Sequence, residues 1–227
     1  MRKLLLLIFI PTHILFAQQE EEKPIDLTGK FALMFQIDQN FDLNSFDGMS
    51  FAGKYFFNND WGVRLKFKTN YSEYDISSSY ANHENSSGNH ESRTRNEDKV
   101  SYSFMPSIIY SPVNSNNLKF FIGGGPLVSY SNDERAEVDF QEMDEVGKTN
   151  IWQKNYEIGL TFFANIEWFV TKSISLSAEY GFEYSYLETE NWTRYYRDDE
   201  LIDESSSKGN AKLFQSLPVS LGVSIYF

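Results

Sequence analysis

Six charged residues stand at spacings that place them on shared faces. Arg64, Lys66 and Lys68 alternate with Val63, Leu65, Phe67 and Thr69, and Glu179 and Glu183 flank Gly181 in the same alternation with Tyr180 and Phe182. Glu157 opens a third such run. In an extended chain, side chains at i and i+2 share a face, so each run pairs an apolar face with a charged or small polar one. Unpaired charges in a narrow interior are costly, so pairing is expected. Counted from a common end, Lys66 stands at the height of Glu179 and Lys68 at that of Glu183. Such pairs either fix an interior or act as an ion gate by exchanging partners. A Ser–His–acid site would need a positioned base. The only histidines are His13, His83 and His90, and none falls on a segment with strand alternation. His83 and His90 read as exposed loop residues. Their spacing fits no helix face and the chain has no cysteine, which disfavours a metal pair. No catalytic, cofactor-binding or metal-ligating residue is assigned, and an enzymatic role is not expected.

The stretch that organises these residues is Tyr156 to Tyr186. Its first half sets Tyr156, Ile158, Leu160, Phe162, Ala164, Ile166 and Trp168 against Glu157, Gly159, Thr161, Phe163, Asn165 and Glu167. After a turn at Val170–Ser173, Ile174, Leu176, Ala178, Tyr180, Phe182, Tyr184 and Tyr186 alternate with Ser175, Ser177, Glu179, Gly181, Glu183 and Ser185. A greasy face ending in aromatics, backed by carboxylates and small residues, is the pattern of a strand with lipid outside and a polar interior.

The same pattern recurs along the chain. Residues 1–17 form a secretory signal peptide, with Arg2 and Lys3 before an apolar core ending at Ala17. Residues 18–26 are a short acidic leader, expected to be loose. Residues 27–227 make one domain of eight strands, near Leu27–Gln39, Met49–Phe57, Trp61–Tyr71, Val100–Tyr110, Leu118–Tyr130, Tyr156–Trp168, Ile174–Tyr186 and Leu213–Phe227. Pro106 predicts a bulge in the fourth. The last is expected to face Leu213, Leu217, Val219 and Leu221 one way and Phe214, Ser216 and Ser220 the other. Connections after strands two, four and six are short, and Asn58–Asp60 reads as a tight turn. Those after strands one, three, five and seven are longer, as an up-and-down membrane barrel requires, and put both termini on the periplasmic side. Trp61, Tyr110 and Trp168 fall at the short-turn ends; Tyr71, Tyr130, Tyr156 and Tyr186 fall at the long-loop ends. They form two aromatic girdles. The fold class is therefore all-β, an eight-stranded antiparallel up-and-down transmembrane β-barrel. The rival fold is a water-soluble, lipocalin-like ligand-binding barrel, with apolar residues inside.

Composition sets further limits. The formal net charge is −12, two units more negative without Arg2 and Lys3. That excludes the basic footprint of a nucleic-acid binder. The segments Ser131–Asn150 and Glu188–Asn210 are read as acidic outer loops with seven acids each. Carboxylate oxygens suit weak binding of calcium or magnesium, which would bridge to lipopolysaccharide phosphates. Trp192, Tyr195 and Tyr196 form either a ligand platform or an aromatic strand extension beyond the membrane.

The strand count, the loop asymmetry and the terminal run LPVSLGVSIYF resemble the small eight-stranded outer-membrane barrels of the OmpA-transmembrane and OmpX-like type. The resemblance covers the whole mature chain. It implies insertion by the barrel-assembly machinery, with Phe227 as its signal, and outer-membrane lipid and lipopolysaccharide as surroundings. It implies no shared activity. The expected role is structural, or one of surface interaction through long acidic loops; the alternative is a narrow pore or small-solute conduit.

Overall fold

The structure is a computed structural model that describes residues 25–42, 47–81, 90–141 and 144–227. The signal peptide, most of the leader, His13 and His83 lie outside the described residues. Nine antiparallel strands follow in order: β1 (Phe31–Asp42), β2 (Asp47–Phe56), β3 (Trp61–Ala81), β4 (His90–Asn114), β5 (Leu118–Gln141), β6 (Asp144–Thr171), β7 (Ile174–Arg197), β8 (Glu200–Ser216) and β9 (Ser220–Tyr226). Consecutive strands from β1 to β7 pair side by side, and β9 lies between β7 and β1, which closes the ring. Strands β8 and β9 together form the eighth stave. Both pair with β7, β8 along Phe182–Arg197 and β9 along Ile174–Glu179. The eighth strand is thus interrupted at Leu217–Val219, where Pro218 offers no ladder donor.

This break reverses the facing of the stave's upper part. Phe214 pairs with outward Tyr184, is exposed and stacks on Phe182 at 6.0 Å, so it points outward and not inward as its spacing from Tyr226 suggested. One extra residue in the interruption shifts the register by one, and a one-residue slip exchanges the two faces.

Elsewhere the expected faces hold. Phe31, Leu33, Phe35, Leu65, Phe67, Phe104, Leu160 and Phe162 are exposed outward, while Ala32, Met34, Gln36, Arg64, Lys66, Ser107, Thr161 and Glu179 are buried inward. Around the outside lies an apolar belt. Trp61 to Tyr71 spans about 33 Å of strand, or about 25 Å along the normal at the usual tilt, the height of the apolar band in such barrels. A water-soluble barrel would bury this face.

The short turns are built from local hydrogen bonds. Asn58 Oδ1 accepts from the amides of Asp60 and Trp61 at 2.9 and 2.8 Å, and Thr171 Oγ1 accepts from Ser173 and Ile174. Three expectations change at this level. Across Pro106 the β4–β5 ladder keeps its register, from Phe104↔Val128 to Ile108↔Gly124, and the shift falls between Tyr110 and Val113. The reason is Gly125, where an added Cβ would collide with the Pro106 carbonyl; the glycine lets the strands pass without a bulge. The segments expected as long loops are largely sheet. Strands β3 to β8 continue well beyond the girdle, and β7 turns into β8 through Asp198 and Asp199, both at positive φ. That is the mirror-image two-residue turn suited to strand twist. His90 accordingly begins β4 and is not in a loop.

The leader's end is also ordered. The amide of Leu27 donates to Asn59 Oδ1 at 2.7 Å and that of Gly29 to the Phe56 carbonyl at 2.9 Å. These bonds fold Leu27 under the barrel, where it joins inward-facing Phe56, Ile109, Phe121, Phe163, Phe169 and Tyr226 in one buried cluster. The short-turn end of the bore is therefore filled by hydrocarbon, not by the charged plug that the polar faces implied. Phe56 has no solvent-exposed surface. Replacing it with alanine is expected to cost about 3–5 kcal/mol, read as a lower urea midpoint for the micelle-folded barrel with its antiparallel-sheet circular dichroism retained.

Candidate functional site

Above the apolar cluster the bore is filled by two layers of charge. In the lower layer Lys54 of β2 forms an ion pair with Glu167 of β6, both almost fully buried. Glu167 also accepts from Tyr226 Oη at 2.5 Å and Ser175 Oγ at 2.9 Å, and Lys54 donates to Ser224 Oγ at 3.1 Å. The Lys54 ammonium lies 5.7 Å from the Tyr226 ring and 5.9 Å from that of Phe121. Each donor and acceptor thus has a partner, which makes a buried pair tolerable. In the upper layer Glu179 of β7 takes an ion pair from Arg64 and another from Lys66, the second at 3.1 Å. The Arg64 guanidinium stands 3.6 Å from the centre of the Phe163 ring, so the charged layer rests on the apolar cluster below it.

The six interior residues are thus divided. Arg64, Lys66 and Glu179 meet, whereas Lys68 does not reach Glu183: it pairs with Asp38 of neighbouring β1 at 3.0 Å. Glu183 instead accepts from Gln215 at 2.6 Å, a residue turned inward by the reversed facing of β8. Glu157 accepts from Ser185. Spacing missed Lys54, Glu167 and Tyr226 as a unit. The parity of each was readable, but Lys54 and Glu167 are separated by 113 residues in sequence, and only ring closure makes them neighbours. Above Glu179 a cavity of about 360 Å3, lined by Asp38, Lys68, Glu157, Glu183, Gln215 and Pro218 among others, occupies the upper bore. It ends blindly on the Arg64–Glu179 layer.

The aromatic residues fall into two belts. Trp61 and Tyr110 pack at 4.7 Å and Tyr130 and Tyr156 at 5.3 Å; Trp168, Tyr71 and Tyr186 are exposed on the same outer surface. At the short-turn end the amide of Phe227 donates to the Phe31 carbonyl at 2.8 Å, tying the last residue to the first strand.

Beyond the upper belt the wall rises as a sheet that is no longer a ring. Strand β2 pairs with β3 only as far as Ser50↔Lys68. Above that rung, among the described residues, β3 pairs with β4 alone and β8 with β7 alone. Six strands, β3 to β8, form this palisade, open on the side of the short β1–β2 hairpin. Its inner face carries Glu97, bridged by Arg95 at 2.5 Å and by Arg135 at 3.3 Å. Burial pushes the Glu97 carboxyl up, but these two arginines outweigh it and hold the group below its ordinary value of 4.5. Trp192 and Tyr196 lie on the outer face of β7 and Tyr195 on the inner face, beside Gly147. Among the described residues no three acidic or histidine side chains converge as metal ligands do.

No protein-family model matches the sequence, and no curated protein matches it. Solved structures match in fold. One is Ail, the attachment invasion locus protein of Yersinia pestis, at 14% identity over 88% of this chain and 99% of that one, with a TM-score of 0.42. Others are a major outer membrane protein from Thermus thermophilus, at 14% identity over 87% and 99% with a TM-score of 0.47, and OprG from Pseudomonas aeruginosa, at 12% over 88% and 96% with a TM-score of 0.40. The chain is similar to these outer-membrane proteins in architecture, a closed antiparallel β-barrel.

Two outcomes follow from the charge layers. Glu179→Gln leaves Arg64 and Lys66 facing each other without their carboxylate and is expected to cost about 3–5 kcal/mol, measured by urea unfolding in micelles. A carboxyl with a lowered folded pKa stabilises at pH above its ordinary value, and this contribution is lost as pH falls through the folded pKa. Glu97→Gln is therefore expected to melt below wild type at pH 7. The two melting curves should converge as the pH is taken below about 4.

Proposed function

We propose that the chain is an outer-membrane β-barrel whose role is surface interaction, with the barrel as anchor and the palisade as the part that meets partners. The observation that carries this reading is the filled bore. Leu27, Phe56, Phe121, Phe163 and Tyr226 close its short-turn end, and Lys54–Glu167 and Arg64–Glu179 occupy the section above. A conduit needs a continuous aqueous path, and interiors packed at this density do not supply one. The blind upper cavity is the one feature in favour of the conduit alternative. The outer apolar belt supports residence in lipid, because exposed apolar surface on this scale marks a membrane or partner interface. The palisade supports the outward role: β7 extends from Tyr186 to Arg197 beyond the belt, about 36 Å of strand. Both ends of the described barrel chain lie at the short-turn end, which this reading assigns to the periplasm. Weak divalent-cation binding remains attached to the acidic hairpins, and no catalytic step is proposed.

Two measurements test the proposal. The full chain in planar bilayers is expected to show no discrete conductance steps; reproducible steps in wild type that shift in Glu179→Gln would establish the conduit instead. Trypsin added to intact cells is expected to cut at Arg194 or Arg197 next to the Asp198–Asp199 turn. Protection in intact cells with cleavage in lysates would place the palisade on the wrong side of the membrane.

A further inference from the structure

The outer surface of the β6–β7 hairpin changes character just above the tyrosine belt. Trp152 and Trp192 face each other across one rung of the ladder. Two cations occupy the diagonals: Lys154 Nζ is 5.4 Å from the centre of the Trp192 ring, and the Arg194 guanidinium is 5.5 Å from that of Trp152. With Glu134 of β5, these four side chains line a depression of about 380 Å3. Arg194 is held by Glu204 at 3.2 Å. Among the described residues Lys154 makes no ion pair, although the chain as a whole has a net charge of −12.

Position decides what such a patch meets. Trp152 and Lys154 share the outward parity of Tyr156, which is exposed on the lipid side. Lys154 lies about 7 Å and Trp152 about 13 Å of strand beyond that tyrosine, or about 5 and 10 Å along the normal at the usual tilt. Each polar layer of a bilayer is about 5–8 Å thick. The unpaired ammonium therefore stands within the headgroup layer, and the indoles stand at its outer surface. The chemistry fits a phosphorylated sugar. Indole faces offer flat apolar surface to the C–H face of a pyranose, ammonium and guanidinium groups bind phosphate through charge-assisted hydrogen bonds, and the Glu134 carboxylate accepts from sugar hydroxyls.

We infer that Trp152, Lys154, Trp192 and Arg194 form a docking site for the phosphorylated sugar headgroup of an outer-leaflet glycolipid. The inference rests on the membrane reading above: the acyl chains of that lipid would lie along the apolar belt below Tyr156. The occupant is fixed by continuity with this belt, since the patch is its upward extension on the same face.

The test uses the full chain folded in detergent micelles, with tryptophan emission as the readout. The probes are a bis-phosphorylated, acylated glucosamine disaccharide, the same lipid without phosphates, and soluble glucosamine phosphate. Wild type is expected to show a saturable emission change with the phosphorylated lipid. K154Q/R194Q, which keeps every tryptophan, is expected to bind it at least about tenfold more weakly, as is wild type with the dephosphorylated lipid. K172Q, which removes a charge from the opposite, short-turn end, should bind like wild type. Equal binding by wild type and K154Q/R194Q, with both variants folded by heat-modifiable gel migration, overturns the site and leaves the barrel assignment intact. Soluble glucosamine phosphate binding as tightly as the lipid overturns the glycolipid as occupant. Loss of the gel shift in wild type overturns the membrane reading and the site with it.

Discussion

A backbone amide or carbonyl facing hydrocarbon has no water to bond, so a sheet that crosses a membrane must close on itself. The rest of this structure depends on that closure. The last stave achieves it in two pieces, with β9 bridging β7 to β1 through the height of the belt and β8 continuing on β7 alone. Closure also fixes the bore. Once eight staves form a ring, the interior is only wide enough for side chains, and every inward residue must find its partner there. Lys54 meets Glu167 and Arg64 meets Glu179 across the bore because the ring leaves them no other neighbourhood. Their desolvation is offset by layered bonding: aromatic rings beneath, hydroxyls at the sides and a second cation above.

Above the belt the constraint is relaxed, and the wall changes accordingly. Water can bond a free strand edge, so the palisade need not close. The edges of β3 and β8 stand unpaired where the β1–β2 hairpin stops. Edges of this kind invite pairing with other chains and are commonly blunted by charge; here Glu73, Asp75, Asp203, Glu204, Lys208 and Lys212 lie along them. The palisade thus presents a wide surface without a continuous greasy edge.

Much of this was legible in the chain. The belt strands announce themselves because each buries one face in lipid and one in the bore, so Leu160, Phe162 and Trp168 alternate strictly with Thr161, Phe163 and Glu167. The short turns were readable for a similar reason, since Asn58 and Thr171 bond their own backbones. The palisade was not readable. Both its faces are wet, so segments such as Glu188–Arg197 carry no alternation and look like loops. The reversal at Pro218 was hidden as well. The apolar run on both sides of it reads as one strand, and only pairing with β7 shows that Phe214 and Leu221 share the outer face. Ion pairing failed in the same way: height along a strand predicted Lys66 with Glu179, but adjacency in the ring gave Lys68 to Asp38 and left Glu183 to Gln215.

The apolar cluster at the short-turn end draws on both ends of the chain. Leu27 comes from before the first strand, and Tyr226 is the last residue but one. Neither can take its place until β9 has docked beside β1. A partly assembled barrel therefore has an unsealed bore, and the seal and the final hydrogen-bonded seam form in the same event. Leakiness is confined to the interval before assembly is complete, so the finished protein adds wall to the envelope without adding a hole.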